Sequence, residues 1–268
     1  MALAPLKRPA HRDGVVALRA ERAELLDLCH TLSDSQWRLP SMAPGWTVQD
    51  VVSHIGAGCH AIFTTESLKL LLSKDIEQSN DEMVWARRVR RPDETVAEYE
   101  RWSARIIQLA TLVTKSPLTR LPVPLAELGR FPVGLLLTGA MVFDHHTHMR
   151  HDLAPALGLS PSPPAPRRMA VVIDWMLAVL GNQLRSGRPE WLSRPVGLRL
   201  TGPGGGAWTI QRDGRILSGI ERPAVEIVGD SSDFPSWATK RSDWRDYDIN
   251  IVGDTGYGAV FLDELNVV

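Results

Sequence analysis

The chain has 268 residues, 44% hydrophobic and 23% charged, and carries a formal net charge of −1. That length suits one large domain or two modest ones, and the composition is that of an ordinary globular protein. With balanced charge and no apolar run near about 18 residues, neither nucleic acid nor a membrane is an expected partner, and the cytoplasm is the expected setting.

The opening stretch "MALAPLKRPAHRDG" has no apolar core long enough for a signal peptide. From 14 to 32, Val15, Leu18, Leu25, Leu26 and Leu28 recur at spacings near three and four, which predicts a helix with one apolar face. Cys29 and Cys59 have no spacing that suggests a disulfide framework or a zinc ribbon. "LPSMAPGW" (39–46) reads as a loop, and Thr47 with Asp50 three residues on reads as a capping-box start. The helix that begins there is expected to run through Val51, Val52, His54 and Ile55 and on toward Leu72. A further helix is expected over 93–115, followed by a long connection over 117–132 that carries four prolines. Another helix should cover 133–157 and end at Gly158, a normal residue for a helix C-terminus.

Four helices with an extended crossover predict an antiparallel bundle, a fold in which polar sites form between facing helices. "LSPSPPAPRR" (159–168) reads as a linker. Beyond it, 169–186 looks helical, and short strands follow at 197–202, 207–212, 224–229 and 248–253. "PGGG" (203–206) has the composition of a turn between the first two strands and lacks the features of a phosphate loop. Helices are expected over 230–240 and 259–265. The fold class is therefore α+β: a helical-bundle domain over 1–158, the linker 159–168, and a small α+β domain over 169–268.

"MVFDHHTHMRHDL" (141–153) holds four of the eight histidines beside two aspartates. On a helix, residues four apart share a face about 6 Å apart along the axis, so Asp144, His148 and Asp152 form one row. A carboxylate and an imidazole one turn apart can share a divalent ion, with a third ligand from another helix, for which His54 is placed. Such pairs are also commonplace on solvated helix faces, and a buried His54 is equally satisfied by a hydrogen bond. His145, His146 and His151 cannot all face inward from a straight helix, so they are read as exposed or as supporting residues. Asp152 can orient a ligand histidine or pair with Arg150.

Two passages add a resemblance. "APGWTVQDVVSHIG" (43–56) resembles a signature of the DinB-like, mycothiol-dependent maleylpyruvate isomerase family of actinobacteria, in which a Trp-Thr-x-x-Asp helix start leads to a metal-binding histidine. "FDHHTHMRHDLAPALG" (143–158) resembles the family's second signature. "GLRLTGPGGGAWTI", "SSDFPSWATKR" and "INIVGD" occur in the order usual for its second domain. The resemblance implies a divalent ion, of which zinc is the expected one, held by His54, Asp144 and His148, with mycothiol as thiol co-substrate. It differs from the usual pattern in Asp144, where Glu is common, and in Asp152, which follows the histidine by four residues rather than three. Both departures point to a sister subgroup.

Two histidines and a carboxylate leave an open ligand position, as in catalytic zinc sites. The expected activity is a thiol-dependent isomerase or transferase acting on a small electrophile. A metal-dependent hydrolase and a non-catalytic binding or stress-response module are the alternatives. Arg241 is a candidate for an anionic group on substrate or thiol. Asn80 is a candidate lining residue, and Trp85 is expected to pack in the core.

Overall fold

A computed structural model describes residues 3–267 of the chain. They pack as two units, one of Gly14–Ser162 and one that joins Met1–Asp13 to Pro163–Val268. Among the described residues, no helix is long and apolar enough to cross a membrane. The α+β class holds: helices form the first unit, and the six-stranded sheet lies in the second.

In the helical unit, α1 (His11–Thr31) buries Leu18, Leu25 and Leu26, the stripe seen in the sequence. Gly14 lets α1 approach closely, since a Cβ there would lie 2.6 Å from the Thr138 Cβ. The helix α2 (Val48–Ala61) starts at the capping box of Thr47 and Asp50, each side chain taking the other's backbone N–H. It stops at Ala61 rather than at Leu72. The amides of Phe63 and Thr64 turn back to His60 and Ala61, and a separate short helix, Glu66–Leu72, follows. Next comes α3 (Ile76–Trp85), opened by the Asp75 side chain on the Gln78 amide. The sequence pattern missed α3 because Val84 is its one fully buried residue. Trp85, expected in the core, is 71% exposed beneath the Arg88 guanidinium.

The helix α4 (Pro92–Val113) begins with proline in its first turn and packs along α2. The proline-rich stretch after it is not an open loop. Pro122–Leu125 and Gly129–Pro132 pair as a two-stranded hairpin, in which prolines are tolerated because few ladder donors are needed. Residues 133–156 then form one unbroken helical run, α5, with wider π turns at Leu136–Ala140 and His148–Leu153. It ends before Gly158, whose φ of +66° suits glycine. Leu26, Val51, Val52, Ile55, Tyr99 and Leu153 form a continuous apolar core shared by α1, α2, α4 and α5.

In the second unit, α6 (Pro166–Gly187) starts three residues before the expected position, again on a proline. The sheet comprises β1 (Ala4–Pro5), β2 (Val196–Thr201), β3 (Gly206–Ile210), β4 (Ile216–Ser218), β5 (Val225–Asp230) and β6 (Asn250–Gly253). Their spatial order is β1-β4-β3-β2-β5-β6, with β2 and β5 parallel and the other neighbours antiparallel. Leu198 and Leu200 of β2 point inward while Arg199 points out, the alternation of a half-buried strand. The glycine stretch between β2 and β3 is a turn, as expected. At Gly204 φ is +66°, and a Cβ would lie 2.4 Å from the Ala170 amide of α6, so glycine alone fits this approach. The helices α7 (Phe234–Ala238) and α8 (Thr255–Glu264) complete the unit.

Candidate metal centre

The start of α2 fixes the first histidine. The Asp50 carboxylate accepts the Thr47 amide at 3.0 Å and the Arg88 Nε–H at 3.2 Å, so the first turn is held on two sides. One turn later His54 lies 6% exposed beside Val51, Val52 and Ile55 of the core. Its Nε2 stands 3.1 Å from Asp144 Oδ1 of α5. His148, one turn beyond Asp144, brings its Nε2 to 3.5 Å from the same oxygen. The ligand atoms of His54, Asp144 and His148 all lie within 4.8 Å of one another.

Asp152 completes the row. Its carboxylate, fully buried, lies 2.7 Å from His148 Nδ1. Accepting that ring's N–H leaves His148 Nε2 as an electron-pair donor aimed at the centre, the arrangement that orients metal-binding histidines. Two imidazole nitrogens then face one carboxylate oxygen. A proton on each ring or one shared cation satisfies such a set, and the donor types suit zinc and similar divalent ions. Burial pushes the Asp144 carboxyl up, but the charge and hydrogen bond of His54 and the charge of His148 outweigh it, holding it well below the usual carboxylate range. Asp144 is thus the permanent anion of the cluster.

Trp46 forms a wall of the site. Its ring centroid is 5.0 Å from that of His54 and 6.1 Å from that of His148, nearly parallel to the latter at 26°. The indole N–H donates to Asp81 on α3 at 2.8 Å, and the Arg88 Nη2 ties the preceding Gly45 carbonyl at 2.8 Å. Trp46 and Asp81 were not read from the sequence as site residues. The only signal was their presence in "GWT" and "SNDEMVW", which says nothing of their meeting.

The neighbouring histidines correct the sequence reading. His145 and His146 are both fully buried, although a straight solvent-facing helix would expose one of them. They can both be inside because α5 runs through the middle of the unit, with Val142, Thr147, Met149 and Leu153 also buried around it. His146 Nδ1 meets the buried Glu21 carboxylate of α1 at 3.0 Å. His145 Nδ1 donates to the Met141 carbonyl at 2.7 Å, and burial lowers its pKa against the pull of Asp144. His151 is half-buried. Arg150 pairs with Glu24 rather than with Asp152.

Asn80 sits half-buried on α3, next to the Asp81 that holds Trp46. Arg241 belongs to the second unit, just after α7, where its amide donates to the Ser236 carbonyl and its Nη1 to Thr239 Oγ1 at 2.9 Å. The helical unit therefore gathers His54, Asp144, His148 and Asp152. Asn80 and Arg241 lie on other elements.

Comparison with known proteins returned a family. Residues 18–154, half of the chain, match the model of the mycothiol maleylpyruvate isomerase N-terminal domain. Two solved structures share the fold: the mycothiol-dependent maleylpyruvate isomerase, with a TM-score of 0.54, and a histidine-to-alanine mutant of it, with 0.52. Each is 14% identical over 90% of this chain and 92% of the other. Among curated protein sequences, none matches the chain.

Proposed function

The chain belongs to the mycothiol maleylpyruvate isomerase family, and from that premise we propose that it is a divalent-metal enzyme that uses mycothiol to isomerise, or to transfer onto, a small electrophilic substrate. The observation that carries this reading is the convergence of His54, Asp144 and His148, with the buried Asp152 behind His148.

His54, Asp144 and His148 would hold the ion, and zinc is the ion proposed. When bound, a divalent cation with an open ligand position lowers the pKa of a thiol enough to give thiolate near neutral pH. The chain's own residues supply the rest. Asp152 keeps His148 Nδ1 protonated and its Nε2 turned toward the centre. Asp144 keeps the cluster anionic and favours a cation there. The Trp46 indole covers the adjoining imidazole faces and limits water on that side. Asn80 is the proposed contact for polar groups of the substrate; Arg241, in the second unit, is proposed on its own as a contact for an anionic group.

The thiol must come from outside the chain. Cys29 and Cys59 are both buried and unpaired with each other. Burial pushes the Cys29 thiol up to about 12 and the Cys59 thiol higher still, where neither is a nucleophile near neutral pH.

The test is turnover of maleylpyruvate by zinc-loaded protein, with and without mycothiol. The reading expects turnover only when both are present. Turnover that persists without thiol would replace it with a hydrolase reading, and zinc binding with no thiol effect on any electrophile would leave a non-catalytic module.

A further inference from the structure

A second polar cluster lies wholly in the other unit. A cavity of about 300 Å³ opens between the N-terminal segment, one face of α6 and the glycine turn beside Trp208. That volume is at the lower end for small-molecule sites. Its floor is apolar, with Ile173 and Leu177 almost fully buried, and one charged group stands among them. Asp174, 7% exposed, pairs with Arg8 at 3.1 Å.

As a purely structural device this pair is a poor one. Burial raises the Asp174 carboxyl to about 6 despite the guanidinium. Apolar residues in place of a buried ion pair are often as stabilising or more so. The pair nevertheless leaves half of the guanidinium available: Arg8 uses only Nη1, and its Nε and Nη2 donate to no described residue. Lys7 and Arg167, both exposed at the rim, have no carboxylate partner among the described residues. Asp13 is the other acid in the wall, so cations outnumber carboxylates there, while the whole chain is slightly acidic.

From this arrangement we propose that the cavity binds a small organic anion, its carboxylate or phosphate on the open edge of Arg8 and on Arg167, its apolar body against Ile173, Leu177 and Trp208. A guanidinium edge takes an oxyanion with two parallel hydrogen bonds, and Asp174 fixes the orientation of that edge from behind. None of these residues belongs to the His54–Asp144–His148 cluster, so the inference stands whatever that cluster binds.

The experiment uses the full chain and benzoate as probe, with benzamide and inorganic phosphate beside it, followed by calorimetry and by thermal shift. Benzoate should bind saturably in the millimolar range or tighter, raise the melting temperature, and exceed both benzamide and phosphate. Arg167→Gln, which leaves the Arg8–Asp174 pair intact, should weaken benzoate by about tenfold, the loss of one charge-assisted contact. Arg8→Gln should abolish its binding. No saturable benzoate binding, or binding unchanged in Arg167→Gln, would overturn the proposal. Equal binding of benzamide would show an apolar cavity without anion recognition, and equal binding of phosphate a charged rim without an organic site; either would overturn it too.

Discussion

Two imidazole–carboxylate pairs lie within three residues of each other on α5 and behave differently. His146 and Glu21 face one another in a sealed interior, with neither side chain more than 1% exposed. His148 and Asp152 are as close, but beyond His148 the row continues to Asp144, whose side chain is 24% exposed, and to His54. One pair is sealed from solvent. The other leaves an electron pair pointing at a carboxylate that solvent can reach. Residue type does not separate His146 from His148 here; the meeting of His54 and His148 at one carboxylate oxygen, and a route to solvent, do.

Substitutions sharpen that contrast, beginning with the largest expected effect. His54→Ala should weaken zinc binding by more than about 100-fold in equilibrium dialysis, because two donors alone make a poor site. Glu21→Ala should leave zinc binding per folded chain unchanged and lower unfolding stability in urea by about 3–5 kcal/mol, the cost of breaking a buried pair on one side. Similar zinc losses in both variants would erase the distinction. Asp152→Asn should retain the fold and lose about 10- to 100-fold in zinc affinity, as orienting carboxylates do.

A smaller effect separates two acids of opposite sign. The Asp144 carboxyl is held below its ordinary value, so in the metal-free chain it adds stability that is present above the unfolded value near 3.8 and lost as pH falls through its lower folded value. The Asp174 carboxyl is raised to about 6 from 3.8, so its protonated form is favoured in the fold, and the associated stability is present below pH 3.8 and lost as pH rises through about 6. Asp174→Asn should therefore exceed the wild type in stability by about 2 kcal/mol at pH 8, with the advantage vanishing below pH 4. An advantage that grows on acidification would reverse this assignment.

The parts of the fold legible in the sequence are those set by local chemistry. The Thr47–Asp50 box and the apolar stripe of α1 each state their own structure. The row Asp144–His148–Asp152 was legible for the same reason, since a four-residue spacing needs only a helix. What was not legible depends on the surroundings. The helix α3 has almost no buried face. The hairpin over 122–132 is proline-rich and reads as a loop. The two short strands β1 and β4 pair with each other across more than two hundred residues of chain. The burial of His145 and His146 follows from α5 being enclosed by its neighbours, and Glu21, which answers His146, is one of several acids along α1. The meeting of Trp46 with Asp81 likewise exists only once α3 is in place.

The most direct test of the metal centre is metal content by elemental mass spectrometry on tag-free protein after incubation with zinc and gel filtration, comparing wild type, His146→Ala and His148→Ala. One ion per chain in the wild type and in folded His146→Ala, with none in His148→Ala, is the expected result. No ion in the wild type, or equal loss in both variants, would contradict a site built on Asp144 and His148.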